Sequence, residues 1–551
     1  MSIIHSNVAV LSKFNSILKL YDTPKLKYGL AISGGIDSMA LAYLSKNSTI
    51  SERCIPIIID HSLRKESFYD AEKACEFLRI LGYFPQIIKL KWAHDFIECS
   101  VNIFDKERLV VENTLDSLRN SYKYTYYSSF KKPPVGPKLE EVARAERYKA
   151  IESLCKKQAI SYLMTGHHRN DLCETFLMRL SRQSGLFGLS GTRVLDEYPI
   201  ISSSFSKSLK VFRPLLFDFT KEDLLKICTG NNLNWVEDPS NTNTIFKRNS
   251  IRKTISDTEA TDNFYGRALY SVNITPVVSL LQNQQKIIEK TVNSILSNIA
   301  NFNYITGECT WDNSEYISLS SLFNSDTLLH LCLSKTIKWV SCSIYPPELK
   351  DIKKIAGYIK SSYASSSSNI SVSGILLYKP TKKDNFWVFS KHIPSSAILN
   401  TLDHIGSLPG KEILWNDTTF ISVDKKSPYI NIKYSVISIA RALYCHSVYR
   451  INFFDSPNQN ITFDINNPCF INKITLNQKE LIKFYKIQAQ SKLFQQSQII
   501  KDSSLLYQPI IISYTTCSNN RLCNFVHSFI PFLQLSMGDA SKVQISFKRK
   551  F

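Results

Sequence analysis

Short apolar runs alternate with amphipathic stretches through the first half of the chain. Apolar runs of strand length lie at residues 26–33, 55–60, 84–90 and 160–165. Apolar residues recur at helical spacing over residues 38–45, 67–82, 139–157 and 170–182. Strand–helix–strand repetition at these lengths predicts an α/β domain whose parallel sheet is covered by helices on both faces. Such sheets bind ligands at the carboxyl ends of their strands, near the point where the strand order reverses.

The pattern changes beyond about residue 255. Long polar-faced helices are predicted at residues 282–299 and 346–361, followed by a serine-rich loop at 365–368. Residues 370–378 and 386–390 resemble the two strands of a hairpin, and the rest of the chain is strand-like. The C-terminal half is therefore expected to be helical at first and α+β in character afterwards.

The first 28 residues leave two interpretations open. They carry four lysines against the single acid Asp22, and their apolar residues are spaced to form one side of a helix. This composition suits an organelle transit peptide, although such peptides are usually rich in arginine and the first arginine here is Arg53. The alternative is that these residues form the first helix of the α/β domain.

Net charge, the length of apolar runs and the spacing of cysteines restrict the partners and the metal sites that this protein can have. Lys and Arg exceed Asp and Glu by 67 to 47, a formal charge of +20, which favours a polyanionic partner. No apolar run approaches the roughly 18 residues that span a bilayer, so we expect a soluble protein without a membrane partner. None of the thirteen cysteines lies in a C-x-x-C pair. This disfavours zinc ribbons, redox pairs and iron–sulfur clusters, and indicates a reducing compartment.

One basic, tyrosine-rich segment at residues 119–138 breaks the alternation. Basic side chains interleaved with aromatic rings suit contact with single-stranded nucleic acid. Pro133–Pro134 and Gly136–Pro137 instead indicate a solvated loop within an insertion at about 93–137, and this is the interpretation that we favour.

The strongest chemical signal lies between the first strand and the first helix. It is the string Ser33-Gly34-Gly35-Ile36-Asp37-Ser38. Two glycines let a backbone turn tightly and bring its N–H groups against a phosphate. The serines add hydroxyl donors, the helix presents its positive N-terminus to an anion, and Asp37 suits the magnesium that accompanies a nucleotide phosphate. An N-capped turn explains each residue singly, but not the whole string at this junction.

This string resembles the S-G-G-x-D-S loop of the N-type ATP pyrophosphatases, the PP-loop superfamily. Three further strings follow it in order: Leu139 to Tyr148 (LEEVARAERY), Gly166 to Thr175 (GHHRNDLCET), and Phe212 to Leu216 (FRPLL) with Asp238 to Asn241 (DPSN) and Arg248 to Arg252 (RNSIR). Together they resemble the tRNA(Ile)-lysidine synthetase family over roughly residues 26–255, whereas the C-terminal half matches only loosely.

The resemblance implies a fold and a domain order. The fold is α/β, with an adenine-nucleotide α-hydrolase-like PP-loop domain at 1–255. A helical linker or tRNA-binding region at 256–340 and C-terminal α+β domains at 341–551 would follow, the latter also binding tRNA.

The resemblance also implies a ligase. ATP, with Mg²⁺, would adenylate the wobble cytidine of an isoleucine tRNA with a CAU anticodon. The ε-amine of free L-lysine would then attack, giving lysidine with release of AMP and pyrophosphate. Nothing in the sequence gives the oligomeric state, and a homodimer stays open.

Site residues follow from the matched strings. The resemblance assigns the nucleotide to Ser33, Gly34, Gly35, Ile36, Asp37, Ser38 and His167, with Asp37 also as the metal ligand. It assigns catalytic roles to Asp37, Arg144, His168, Asp171, Glu174 and Arg248. Two positions depart from the family's string, because Asn170 replaces its first acid after the histidines and Leu172 replaces its glutamine.

Two competing functions remain open on the sequence. One is a tRNA-thiolating enzyme of the same superfamily, which the lack of cysteine pairs disfavours. The other is a catalytically degenerate tRNA-binding protein, suggested by Asn170 and Leu172. Lysidine formation belongs to bacteria and to organelles of bacterial descent, and the composition favours a mitochondrial location over a cytoplasmic or plastid one.

Overall fold

A computed structural model of the chain divides it into two compact units, residues 1–289 and 290–551. Its described residues are 2–63, 67–92, 109–112, 124–128, 139–200, 205–237, 250–252, 254–255, 270–302, 307–324, 326–343, 345–361, 369–380 and 385–391, and beyond these the short strands named below. The predicted division at residues 255 and 340, with its tRNA-binding roles, stays a prediction.

The first unit is built on an eight-stranded sheet. Its strands are β1 Tyr28–Ile32, β2 Cys54–Asp60, β3 Gln86–Lys91, β4 Leu109–Glu112, β5 Tyr124–Ser128, β6 Tyr162–Thr165, β7 Leu195–Glu197 and β8 Lys210–Phe212. Their order is β4-β5-β3-β2-β1-β6-β8-β7. The six inner strands are parallel, and only the edge strands β4 and β7 run antiparallel. The predicted parallel α/β sheet is confirmed.

Strand β1 marks the point where the strand order reverses. The chain moves outward from β1 through β2 and β3 on one side, and then returns to add β6 on the other side. Ala31 pairs with Thr165, so the ends of β1 and β6 lie side by side. The loops that follow these two strands therefore meet at one crevice, where α/β sheets bind ligands.

Helices cover the sheet. They are α1 Ser2–Lys19, α2 Ile36–Lys46, α3 Ser67–Ile80, α4 Leu139–Gln158, α5 Arg169–Leu180, α6 Leu186–Leu189 and α7 Lys221–Gly230, with 3₁₀ turns at Ser51–Arg53 and Phe205–Lys207. The next long helix, α8 Ser271–Ile299, crosses the division at residue 289. Phe14 and Leu18 of α1 are fully buried in the core with Leu30, Leu41 and Leu44. Of the two interpretations of the first residues, a helix of the domain is the one that the fold bears out.

Two predictions about local structure need correction. The segment at 119–138 contains β5, which lies in the sheet beside β3 with Thr125 and Tyr127 buried, so this part is not a solvated loop. Its alternating buried positions belong to a strand, and the rest of the segment lies outside the described residues. Helix α8 begins at Ser271 rather than 282, because Ile274 and Val278 pack into a core that stabilises the turns around Pro276.

The second unit begins with an antiparallel sheet and three helices. The strands are β9 Ala300–Phe302, β10 Cys309–Asp312, β11 Ile370–Val372, β12 Ile375–Tyr378 and β13 Phe386–Lys391, in the order β11-β12-β13-β10-β9. The helices are α9 Asn313–Ser318, α10 Asp326–Ser341 and α11 Leu349–Ser361, with a 3₁₀ turn at Ser320–Asn324. The hairpin predicted across residues 379–385 is confirmed as β12 and β13. Residues 370–378 form two strands rather than one, since Ser373 and Gly374 turn the chain with positive φ.

In the last part of the chain the structure describes a set of strands. They are β14 Gly406–Ser407, β15 Glu412–Trp415, β16 Thr419–Val423, β17 Ile432–Ser438, β18 Thr462–Phe463, β19 Pro509–Thr516, β20 Cys523–Ile530, β21 Leu535–Ser536 and β22 Val543–Phe547. They pair antiparallel in two sheets, which fits the strand-like pattern. Across the described residues, no helix has the length and apolar character needed to cross a membrane.

Candidate nucleotide-binding site

The loop between β1 and α2 has the geometry of an anion cradle. Gly34 has φ +88°, a conformation that side chains rarely tolerate, and Gly35 precedes α2 with no side chain capping the helix. The hydroxyls of Ser33 and Ser38 lie 3.3 Å apart across the loop. The first turn of α2 therefore presents its N-terminus and two hydroxyls at the crevice.

Gly166 brings the second predicted string against this loop. A Cβ at Gly166 would lie 2.9 Å from both the carbonyl carbon and the oxygen of Asp37, and 3.1 Å from the nitrogen of Ser38. Backbone atoms cannot rotate out of the way as a side chain can. Only glycine therefore lets the end of β6 approach the first turn of α2 this closely.

The two histidines of this string lie in different surroundings. His167 is partly exposed, and its Nδ1 lies 2.8 Å from the hydroxyl of Thr165. His168 is buried, with its Nε2 3.6 Å from Asp37 Oδ1 and 3.5 Å from Asp171 Oδ2. The carboxylate of Asp171 also accepts a hydrogen bond from the His168 backbone N–H at 3.0 Å. The imidazole of His168 thus lies between two of the predicted catalytic carboxylates.

Glu174 lies one turn further along α5 and is 2% exposed. Its two carboxylate oxygens accept hydrogen bonds from Arg252, at 2.7 Å from Nε and 3.2 Å from Nη2. The same guanidinium lies 3.8 Å from Asp171 Oδ1. A bidentate contact of this kind fixes both partners in position. The sequence string contains Arg252, but its role was not predicted.

Lys221 is a second residue that the sequence interpretation missed. It is the first residue of α7, and its Nζ lies 2.6 Å from Asp37 Oδ1. Its backbone N–H donates to the side-chain oxygen of Asn170 at 3.0 Å. In sequence it is one lysine in a charged stretch at a helix start, which is typical of a solvent-exposed surface. Only the fold places it beside Asp37.

The two departures from the family's string have structural explanations. Asn170 caps α7 by accepting the N–H of Lys221, a role that an aspartate oxygen also fills. Leu172 is fully buried in a small core with Leu216, Ile274 and Val278. Both residues therefore have packing or capping roles away from the carboxylates of Asp171 and Glu174.

Two arginines of the matched strings lie near each other. The exposed Arg144 lies near the start of α4, with its guanidinium carbon 5.7 Å from the centre of the Tyr148 ring. Arg213 follows β8, and burial is the largest of the effects that lower its pKa, to which the positive charge of Arg144 adds. Arg213 Nη1 donates to the carbonyl of Arg193 at 3.0 Å, whereas its Nε is buried without a hydrogen-bond partner among the described residues. Arg213 thus offers one unused donor.

The remaining string approaches the loop from another side. The Val236 N–H donates to the carbonyl of Gly34 at 2.9 Å, just before the string Asp238 to Asn241. That string and Arg248 lie outside the described residues. Asp60, at the end of β2, is buried and accepts hydrogen bonds from the Ser62 N–H at 2.8 Å and the Ser67 hydroxyl at 2.6 Å. A carboxylate ending a strand beside β1 is a further polar group that the sequence interpretation did not assign.

The part of the chain that the structure describes contains no cluster of metal-ligating side chains, and its cysteine near the loop is a neutral thiol. No group of three or more His, Cys, Asp or Glu side chains there is arranged to hold a metal ion. Cys228 is buried in α7 with its Sγ 3.6 Å from the carbonyl of Ile36, and burial raises the pKa of this thiol to about 11. It is therefore a neutral thiol near pH 7.

Comparisons with known proteins agree with this geometry. Residues 7–259 match the family model of the PP-loop domain. The chain is 30% identical over 237 residues to a tRNA(Ile)-lysidine synthase of Rickettsia bellii. The aligned stretch covers 42% of this chain and 43% of that protein. A tRNA(Ile)-lysidine synthase of Rickettsia typhi is 25% identical over 414 residues, or 74% of this chain and 78% of that protein. The chain thus spans less than half the length of the first of these curated relatives.

One solved structure is similar at a low level. The U34-tRNA thiolase NcsA from Methanococcus maripaludis aligns with 50% of this chain and 80% of its own, at 12% identity and a TM-score of 0.33. A score this low carries no argument about fold or function.

The parallel sheet, the glycine loop after β1 and the matched family model define a PP-loop protein. Among PP-loop proteins, the chain is similar to tRNA(Ile)-lysidine synthases, both in the order of the four strings and in the curated relatives that it matches.

Proposed function

We propose that the protein is a tRNA(Ile)-lysidine synthetase. In this reaction ATP adenylates the oxygen on carbon 2 of the wobble cytidine of an isoleucine tRNA with a CAU anticodon, releasing pyrophosphate. The ε-amine of free L-lysine then attacks that carbon, AMP leaves, and a carbon–nitrogen bond has formed. The charge of +20 suits a tRNA partner.

One observation carries the proposal. The contact of Gly166 with the backbone of Asp37 brings the phosphate-type loop and the His168–Asp171–Glu174 cluster to one crevice at the ends of β1 and β6. A phosphate cradle beside a group of carboxylates and an imidazole suits an adenylation that is followed by attack of an amine.

The roles follow from position. Ser33 to Ser38, with His167 nearby, would bind the phosphates of ATP. Asp171 and Glu174, both close to Arg252, would orient the attacking amine, and His168 lies between Asp171 and Asp37. Arg144, and Arg248 from its place in the string, would stabilise negative charge on the phosphates or on the activated base.

Magnesium fits the same crevice. Asp37 is the carboxylate at the mouth of the loop, and its side chain is 36% exposed. Mg²⁺ is usually held by one or two carboxylates together with phosphate oxygens and water, so a single carboxylate is a sufficient protein contribution. The ion would neutralise charge on the leaving pyrophosphate.

The cysteine chemistry argues against the thiolation alternative. Cys228 contacts the carbonyl of Ile36 at the start of α2, and it is a neutral, buried thiol. A sulfur-transferring cysteine needs an accessible thiolate. We therefore expect Cys228→Ala to retain activity, whereas a thiolating enzyme that used this residue would lose it.

The decisive experiment incubates the protein with a CAU-anticodon isoleucine tRNA transcript, Mg²⁺, ATP and labelled lysine. Label that stays on the RNA, requires ATP, survives mild alkali and disappears in Asp37→Ala supports the proposal. ATP cleavage to AMP and pyrophosphate without retained label would support the adenylation step and would show that the nucleophile is not lysine. Binding of tRNA with neither activity would favour the degenerate binding protein.

Two further parts of the proposal concern the rest of the protein. The regions 256–340 and 341–551 would contribute to tRNA binding, and a homodimer stays open. The mitochondrial location also stays a prediction, and the relatives named above are bacterial.

A further inference from the structure

Lys221, to which the matched strings assign no role, forms an ion pair with Asp37. The ammonium lies 2.6 Å from the one carboxylate that follows the glycine loop. The side chains are 45% and 36% exposed, and a pair this exposed contributes little to stability. Its position at the mouth of the loop therefore calls for another explanation.

The backbone of Lys221 is held firmly while its side chain is not. The N–H of Lys221 donates to Asn170, and the preceding Phe219 carbonyl accepts the N–H of Arg169 at 2.8 Å. Thr220 and Asp223 cap α7 reciprocally, with hydrogen bonds of 2.8 and 3.2 Å. The lysine stem is thus anchored at the crevice, with a flexible four-carbon chain that carries the charge.

We infer that Lys221 is an ATP-binding residue whose ammonium contacts the β- or γ-phosphate of the nucleotide. In the structure this ammonium lies on Asp37, the carboxylate that is proposed to hold Mg²⁺. With nucleotide bound, the ammonium would leave Asp37 for the phosphate oxygens, and the Asp37 carboxylate would be available to hold Mg²⁺. The inference rests on the proposed function, because it assumes that the loop binds ATP.

Binding rather than activity provides the test. ATP, AMP and inorganic pyrophosphate are titrated into the full-length protein with Mg²⁺, and dissociation constants are compared for wild type, Lys221→Gln, Lys221→Arg and Lys226→Gln. Lys226 is an exposed lysine on the same helix and serves as the matched control. Loss of one charge-assisted contact predicts about tenfold weaker ATP and pyrophosphate binding in Lys221→Gln. AMP binding should be unchanged, and Lys221→Arg should recover most of the affinity.

A second measurement follows the ammonium itself. Amines are acetylated with limiting reagent, and modification of Lys221 and Lys226 is quantified by mass spectrometry with and without nucleotide. ATP should protect Lys221 whereas AMP should not, and Lys226 should react equally throughout. A lysine that only orients Asp37 would become more reactive, or stay unchanged, when magnesium and ATP bind.

The outcomes separate the inference from the proposed function. If the wild-type protein binds no ATP, the proposed function fails. If it binds ATP and Lys221→Gln binds as tightly as Lys226→Gln, only the role of Lys221 is overturned. Equal losses for ATP and AMP, or absence of protection by ATP, would also overturn that role.

Discussion

Gly166 lies directly against the backbone of Asp37, and this contact joins the two halves of the candidate site. The space between them admits no side-chain carbon, since a Cβ would lie 2.9 Å from the Asp37 carbonyl. The glycine that begins the histidine string is therefore a packing requirement of the crevice. It sets the distance between the loop after β1 and the start of α5.

Gly166→Ala should consequently damage both the fold and the site. The added methyl group meets backbone rather than a flexible side chain, so β6 and α2 must separate. Overpacking of this kind costs about 1–3 kcal/mol of unfolding free energy. Urea unfolding should show this loss, and calorimetric titration should show weaker ATP binding.

Gly230→Ala is the matched control. A Cβ at Gly230 meets no atom within 4 Å, and the residue ends helix α7. Alanine favours the helix by up to about 1 kcal/mol, so this variant should be as stable as wild type or slightly more stable. Equal behaviour of the two glycine variants would contradict the close approach at Gly166.

The pair of Glu174 and Arg252 predicts a measurable coupling. Arg252→Gln leaves a carboxylate that is 2% exposed without its bidentate partner, which should cost about 1–3 kcal/mol. Replacing both residues, as Glu174→Gln with Arg252→Gln, should cost less than the sum of the single changes, because no charge is then left buried. Chemical denaturation of the four proteins gives the coupling energy, and strict additivity would show that the pair is not formed.

A pH dependence follows from the ion pair between Asp22, which lies between α1 and β1, and Arg53, which directly precedes β2. The hydrogen-bonded Arg53 guanidinium, 2.6 Å away, holds the pKa of Asp22 below its ordinary value of 3.8. A depressed pKa stabilises the fold above the unfolded pKa, and this stabilisation is lost as the pH falls through the folded value. The difference in unfolding free energy between wild type and Arg53→Gln should therefore be constant above about pH 5 and become smaller below about pH 4.

Lys19→Gln provides the comparison for this measurement. Lys19 is exposed at the end of α1 and carries the same charge. The Lys19→Gln substitution should change the unfolding free energy only slightly, and this change should not depend on pH near pH 4. A step of the same size in both variants would point to the overall charge of the protein rather than to the Asp22 pair.

Sequence reasoning predicted the sheet and the loop well, because both depend on local signals. Apolar runs ending in Gly34–Gly35 or Thr165 specify buried strands followed by turns, and the structure confirms them. Strand β5 was missed because its three tyrosines and the neighbouring lysines give no clear alternation, although Tyr127 is 2% exposed. Only its pairing with β3 decides its structure.

The contacts within the site required the fold. Lys221 and Asp37 lie 184 positions apart and Arg252 and Glu174 lie 78 apart, so no spacing rule relates them. Asp37 and Glu174 stand in recognisable strings, but Lys221 and Arg252 look like ordinary surface charges in their own stretches of sequence. Long-range ion pairs of this kind depend on which helix ends the sheet brings together, and that information is not local.

Asn170 and Leu172, the two departures from the family's string, lead to opposite predictions. Asn170→Asp keeps an oxygen that accepts the Lys221 N–H at the start of α7, where a negative charge is favourable, so stability should change by no more than about 0.5 kcal/mol. Leu172→Gln places an amide among Leu216 and Val278 in a fully buried position and should cost about 1–3 kcal/mol. Urea unfolding tests both, with tRNA-dependent AMP release measured in parallel. A stable, more active Leu172→Gln protein would contradict this packing and would show that the natural leucine impairs catalysis, as the degenerate-protein alternative requires.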